Sequence, residues 1–122
     1  MAQKFIVGDV VMYENKIHTI INTIGLNNYE LSYVRHPVNQ AKLSGFSLTT
    51  EILEKNGWKK SKINDSAYFY YKDGLFLTYT SKDDEFWFDD FDYSSSICVD
   101  LPYVHSLQHL LFGLNINHEM EV

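Results

Sequence analysis

Cysteine is nearly absent from this sequence: Cys98 is the only one among 122 residues. No internal disulfide can form, and a cysteine-built zinc cluster is excluded. Proline is scarce as well, with two residues, and glycine is held to six, which leaves no low-complexity linker to separate free domains. The start, Met1-Ala2-Gln3-Lys4-Phe5, lacks the apolar stretch of a signal peptide. No window approaches the roughly 18 apolar residues of a membrane span. The expectation is a cytoplasmic chain with no membrane association. Basic residues run short in the second half. Residues 1–62 carry eight Lys/Arg against five Asp/Glu, whereas residues 63–122 carry two Lys against eleven Asp/Glu, for a net charge of −6. That imbalance speaks against duplex nucleic acid as a partner, because phosphate binding is dominated by basic surface.

Catalytic signatures are missing too. The sequence holds no GxSxG, Walker A loop, GxGxxG or CxxC, and no internal repeat. No cofactor is expected, and binding is favoured over catalysis. What is present is globular composition, 45% apolar and 21% charged, with aromatic residues at 16%. The length suits a single compact domain over 1–122, subdividing into a strand-rich 1–38 and a helix–meander–helix 45–122.

The fold class expected is α+β. Val10–Tyr13, Ile17–Ile24 and Tyr29–Val34 are β-branched or aromatic runs separated by Glu14-Asn15-Lys16 and by Gly25 with Asn27-Asn28. They predict a small antiparallel sheet or partial barrel, ended at His36-Pro37. Leu48 to Trp58 predicts a helix of about two turns, with Thr49 as cap, Glu51 at the positive end and Gly57 as a left-handed stop. Lys59-Lys60-Ser61-Lys62 reads as a solvated loop. A four-stranded meander follows, comprising Tyr68–Lys72, Leu75–Thr80, Glu85–Asp90 and Ser96–Val99. Pro102 to Gly113 predicts a closing helix, with Val104, Leu107, Leu111 and Leu114 as its apolar stripe, and Ile116–Val122 a short terminal strand.

Asp73-Gly74 is a strong two-residue hairpin signal, and it fixes a register. Tyr71 faces Phe76, Phe69 faces Thr78, and Tyr68 faces Tyr79; the next turn pairs Tyr79 with Phe86 and Thr78 with Trp87. Opposed residues share a side of the sheet. One face therefore collects Tyr68, Tyr70, Leu75, Leu77, Tyr79, Phe86 and Phe88, with the closing helix as its natural cover. The other collects Phe69, Tyr71, Phe76, Thr78 and Trp87, edged by Glu85 and Asp89. Such an aromatic patch open to water is unusual for a monomer. The N-terminal strands, a second copy of the chain or a ligand are the three candidate covers.

Three further groupings bear on chemistry. His105 and His109 stand at i and i+4 on the closing helix and so share a side, a spacing that can hold a metal. The intervening Ser106-Leu107-Gln108 lacks the HExxH glutamate, so ordinary packing is favoured. Asp83, Asp84, Glu85, Asp89, Asp90 and Asp92 form an oxygen-rich run suited to a divalent cation, although a solvated edge is the plainer reading. Trp58 with Lys59, Lys60 and Lys62 could meet the phosphates of a nucleotide, against a reading as a helix end and wet loop.

The helix Leu48–Trp58, the Tyr70–Leu77 hairpin and the segment Tyr103-Val104-His105-Ser106-Leu107-Gln108-His109-Leu110-Leu111-Phe112 together resemble a family of small uncharacterised proteins of bacterial phages and mobile elements. That family runs a strand-rich start, an LTEExLxxxGF-like helix, a YxxxG-like hairpin and a YVHxLQxLxF-like closing helix. His105 matches the family's histidine, and His109 departs from the expected amide. The resemblance implies an accessory, anti-defence role in the host cytoplasm, exerted by binding. The resulting expectation is a non-enzymatic protein that sequesters a small nucleotide-like signal. The alternatives are an interaction module or inhibitor acting on a host protein, and a metal-dependent hydrolase. Homo-oligomerisation is expected if the aromatic face is not covered internally.

Overall fold

A computed structural model describes residues 4–89 and 98–122. It is mostly antiparallel sheet with two helices, an α+β architecture. The chain forms two compact units, Met1–Ser47 with Tyr103–Met120, and Leu48–Pro102 with Glu121–Val122.

In the first unit, strands β1 (Val10–Tyr13), β2 (Lys16–Ile24), β3 (Asn28–Leu31), β4 (Val38–Asn39) and β5 (Ser44–Gly45) pair in the order β4-β3-β2-β1-β5. The β1–β2 turn is Glu14-Asn15, with φ of 50° and 63°, the mirror-image geometry that matches strand twist. Edge strands β4 and β5 are joined only by the 3-10 turn Gln40–Lys42 and Leu43. In a flat sheet of five strands the edges lie about 19 Å apart, whereas a tight turn of this length spans about 13 Å. The sheet must therefore curl, which encloses Phe5, Val11, Ile20, Tyr29, Leu31, Val38 and Leu43 in one core. β3 stops at Leu31, short of the expected Val34, because Tyr33 turns the chain at φ 63°.

Helix α2 (Val104–Gly113) belongs to this unit, grouped with the N-terminal strands rather than with the meander residues. Val104, Leu107 and Leu111 are buried as expected, and so are His105 and Gln108, whereas Leu114 is exposed. Gln108 is wholly buried. Its Oε1 accepts from Val10 N–H at 2.8 Å, and its Nε2 donates to the carbonyls of Gly8 at 2.7 Å and His118 at 2.9 Å.

The second unit opens with α1 (Thr50–Lys55), capped by the Thr49 hydroxyl, which accepts from Ile52 N–H at 3.2 Å. Gly57 takes φ 86° at its stop. The meander has five strands in chain order, not four: β6 (Lys59–Asn64), β7 (Ala67–Lys72), β8 (Leu75–Thr80), β9 (Glu85–Asp89) and β10 (Cys98–Asp100). The extra strand is the lysine segment read from sequence as a loop; pairing to β7 overrides its weak strand propensity. α1 provides Ile52 and Leu53, both buried, and Trp58, Tyr70, Leu77, Phe86 and Leu101 are buried in the same unit. Burial first, then the Glu54 carboxylate, pushes the Tyr70 hydroxyl up to about 12. The last residues form no strand. Instead, the Asn56 amide binds both the N–H and the carbonyl of Glu121, at 2.8 and 2.7 Å.

Gln108→Leu should destabilise the protein by about 3 kcal/mol, since one buried and two part-buried backbone groups lose their partner. Gln108→Glu should cost more, because it sets an anion against two carbonyls. Urea midpoints of the three proteins measure both effects.

Candidate functional site

The hairpin at Asp73-Gly74, with φ of 51° and 79°, sets the expected register on β7 and β8, including Tyr71 opposite Phe76 and Phe69 opposite Thr78. The Ser81–Asp84 turn pairs Thr78 with Trp87 and Tyr79 with Phe86, again as expected. With β6 added, one row across the second face runs Lys59–Tyr71–Phe76, and the next runs Ser61–Phe69–Thr78–Trp87–Asp100. Thr80 and Glu85 lie beyond them.

The rings on this face touch. Tyr71 and Phe76 have centroids 6.1 Å apart, and Phe69 meets Phe76 edge-on at 6.4 Å. Tyr71 and Phe76 are 38% and 44% exposed, while Phe69, Thr78 and Trp87 are half-buried. Of the residues expected to bind a ligand or partner, the sheet brings together Phe69, Tyr71, Phe76, Thr78, Trp87 and Lys59. Two others lie elsewhere. Trp58 is buried in the core, because a residue next to Lys59 points the opposite way. Lys60 shares that opposite face, its Nζ 4.2 Å from the Tyr68 ring.

The acidic run divides. Asp84 accepts a hydrogen bond from the Tyr79 hydroxyl at 2.9 Å, and burial together with that bond raises the Tyr79 pKa. Asp90 and Asp92 lie outside the described residues. Among the described residues, no group of three or more His, Cys, Asp or Glu side chains could hold a metal.

In the first unit, His105 and His109 come together edge to face at 5.6 Å, as their spacing on α2 implies. Their partners are protein groups. His109 Nε2–H donates at 2.6 Å to Oδ2 of the fully buried Asp9, which also accepts from Ile6 N–H at 2.9 Å. The His105 ring stacks on Tyr103 at 5.3 Å and meets Phe5 at 5.0 Å. Its Nδ1 and Asp9 Oδ1 are buried with no hydrogen-bond partner among the described residues. Burial, the largest influence, brings the His105 pKa down to about 4, against the opposing pull of Asp9. The arrangement suits a neutral imidazole packed among rings.

A grouping the sequence reading missed lies at the far end of the same sheet. His18 and His36, which lack sequence neighbours of matching chemistry, both contact the Tyr13 ring, at 5.9 and 6.5 Å. The faint signal was alternation, since Tyr13 faces Lys16 across the β1–β2 turn and His18 follows on the same side.

No helix among the described residues is long and apolar enough to cross a membrane. Comparison with known protein families, curated proteins and solved structures finds no significant match to this chain.

A histidine whose folded pKa, about 4, lies below its ordinary 6.5 makes stability depend on pH with a definite sign. Between those values the unfolded chain binds the proton and the folded one does not, so stability is present above pH 6.5 and falls as pH drops toward 4. The loss should be about 1–2 kcal/mol after allowance for solvent screening. His105→Phe should lose less stability than the parent between pH 7 and pH 4.5, as read from denaturant midpoints at both.

Proposed function

We propose that the chain is a non-enzymatic binding protein that recognises its partner through the Phe69–Tyr71–Phe76–Trp87 face. The observation that carries this reading is the exposure of Tyr71 and Phe76, at the hairpin end of a sheet face whose inner row holds Phe69 and Trp87 and whose rim is charged. An aromatic centre inside a polar rim is the anatomy of a protein interface, and tyrosine and tryptophan anchors supply much of the energy there. A basic protein surface is the favoured partner. Residues 48–102 carry eleven Asp/Glu against six Lys, with Glu85 and Asp100 in register on the face's own rim.

A second reading at the same face is a planar, nucleotide-like ligand. The row Lys59–Tyr71–Phe76 favours it, because a base can stack on the rings while a cation meets its phosphate. Self-association would occupy the same rings. The biological setting we attach is that of a phage or mobile-element accessory protein acting in the host cytoplasm, from the resemblance of the two helices and the hairpin. An anti-defence role follows within that setting.

Three measurements separate these occupants. Sedimentation reads self-association, calorimetry against linear and cyclic nucleotides reads the small ligand, and crosslinking in cells followed by mass spectrometry identifies a protein partner. Phe76→Ser with Trp87→Ala should weaken whichever interaction is found by about 30-fold or more, the scale of a hot-spot pair. Undiminished binding by the double variant would sink the proposal.

A further inference from the structure

The Tyr13 grouping is the wall of an open cleft of about 290 Å³ in the first unit, lined by Tyr13, Glu14, Lys16, His18, Tyr33, Val34, Arg35 and His36. Two permanent cations and two imidazoles stand there against one carboxylate. Neither Lys16 nor Arg35 has an ion-pair partner among the described residues.

The cleft is built rather than incidental. Ser32 ties its floor to β2 three times: its Oγ accepts from Thr19 N–H at 2.9 Å, its N–H donates to the Thr19 carbonyl at 3.0 Å, and its carbonyl accepts from His18 Nδ1–H at 2.7 Å. A carbonyl can only accept, so His18 Nδ1 carries a proton, and Nε2 becomes a donor to a phosphate oxygen in the imidazolium form of the ring. His36 repeats the pattern, with Nδ1 3.2 Å from the Pro37 carbonyl. Tyr13 packs its ring on the core, and its hydroxyl is kept protonated by desolvation and by Glu14.

Tyr33 is the odd member. It is 100% exposed and sits at φ 63°, a conformation uncommon for a bulky residue and costly to hold. Nothing in packing calls for an aromatic ring at that position. A ring held out beside Arg35 and a pair of imidazoles matches the chemistry that takes a base by stacking and its phosphate by charge. The cleft volume lies just under the roughly 300 Å³ at which pockets for whole small molecules begin, enough for a phosphate and its sugar with the base outside on Tyr33. A second cleft, of about 340 Å³ beside Lys4, Asn27, Asn39 and Gln40, has one cation, and its Gln40 already accepts from the Tyr29 hydroxyl and Lys4 N–H.

We propose that the Tyr13–Lys16–His18–Arg35–His36 cleft binds the phosphate of a nucleotide, with Tyr33 as the platform for its base. The nucleotide is free or part of a single strand; the phosphate-and-base chemistry is shared. This site is independent of the meander face.

Titration of the full chain with inorganic phosphate, adenosine monophosphate and a single-stranded hexanucleotide, followed by calorimetry, tests it. The nucleotide should bind at least about tenfold more tightly than phosphate, which is the worth of one stacked base. Arg35→Gln should weaken nucleotide binding about tenfold. Tyr33→Ala should abolish the preference over phosphate while leaving phosphate binding in place. An affinity that rises from mononucleotide to hexanucleotide identifies a strand, and equal affinity identifies a free nucleotide; either supports the site. No binding of any probe at about 5 mM, or nucleotide affinity unchanged by both substitutions, overturns it. Binding lost on Phe76→Ser but kept in Arg35→Gln also overturns it and moves the ligand to the meander.

Discussion

A neutral carboxamide, buried where three backbone groups converge, is the constraint on which the first unit rests. Gln108 is about a hundred residues from the groups it holds, Val10 and Gly8. Closing so long a loop costs entropy that contacts near the closure point must offset. Only an amide can serve there. One acceptor must face an N–H and two donors must face carbonyls, and asparagine or glutamine alone offers both without charge. The Asp9–His109 pair beside it repeats the linkage with a stronger but more costly interaction, since Asp9 is wholly buried and one of its oxygens has no partner among the described residues. Gly45 completes the seat for α2, because a β-carbon there would come within 2.7 Å of the His105 and Tyr103 rings.

The second unit meets the opposite difficulty, a sheet with more aromatic surface than its helix can cover. α1 has six residues and so extends about 9 Å. It serves one face, where Tyr70, Leu77 and Phe86 are buried, while on the other Tyr71 and Phe76 stay partly exposed. The edge strand β6 shows how the sheet tolerates this. Lys59, Lys60 and Lys62 place charge along a free edge, which discourages another strand from pairing with it. The same lysines that keep the edge unpaired give the aromatic face its one in-register cation, Lys59.

This double use explains what could be read from the sequence and what could not. The Asp73-Gly74 turn admits one pairing, and every β7–β8 neighbour from Tyr68 to Tyr79 follows from it, while the Ser81–Asp84 turn sets β9 against β8. Thr49 and Gly57 carry local signals that need no tertiary context. By contrast, Lys59-Lys60-Ser61-Lys62 looks like a loop because charge and low propensity hide a strand whose stability comes from β7. Gln108 looks like a surface residue because nothing local marks an amide as buried. Which sheet α2 packs on could not be read from its stripe, since an apolar face fits either. His18 and His36 both reach the Tyr13 ring only because a curled sheet and the Ser32 bonds fold the loop back onto it.

Charge separates the two candidate surfaces more sharply than shape does. The first unit balances four Lys/Arg with four Asp/Glu, whereas the second carries six Lys against twelve Asp/Glu. A phosphate is therefore repelled by the average charge of the second unit and not by that of the first. Within the cleft only Glu14 opposes it, and charges beyond about 8 Å are largely screened at physiological salt. A basic protein faces the reverse preference, drawn to the meander and repelled by the cations of the cleft. A net charge of −6 thus describes neither surface. The local balance, set by which residues the fold gathers, decides what each can attract.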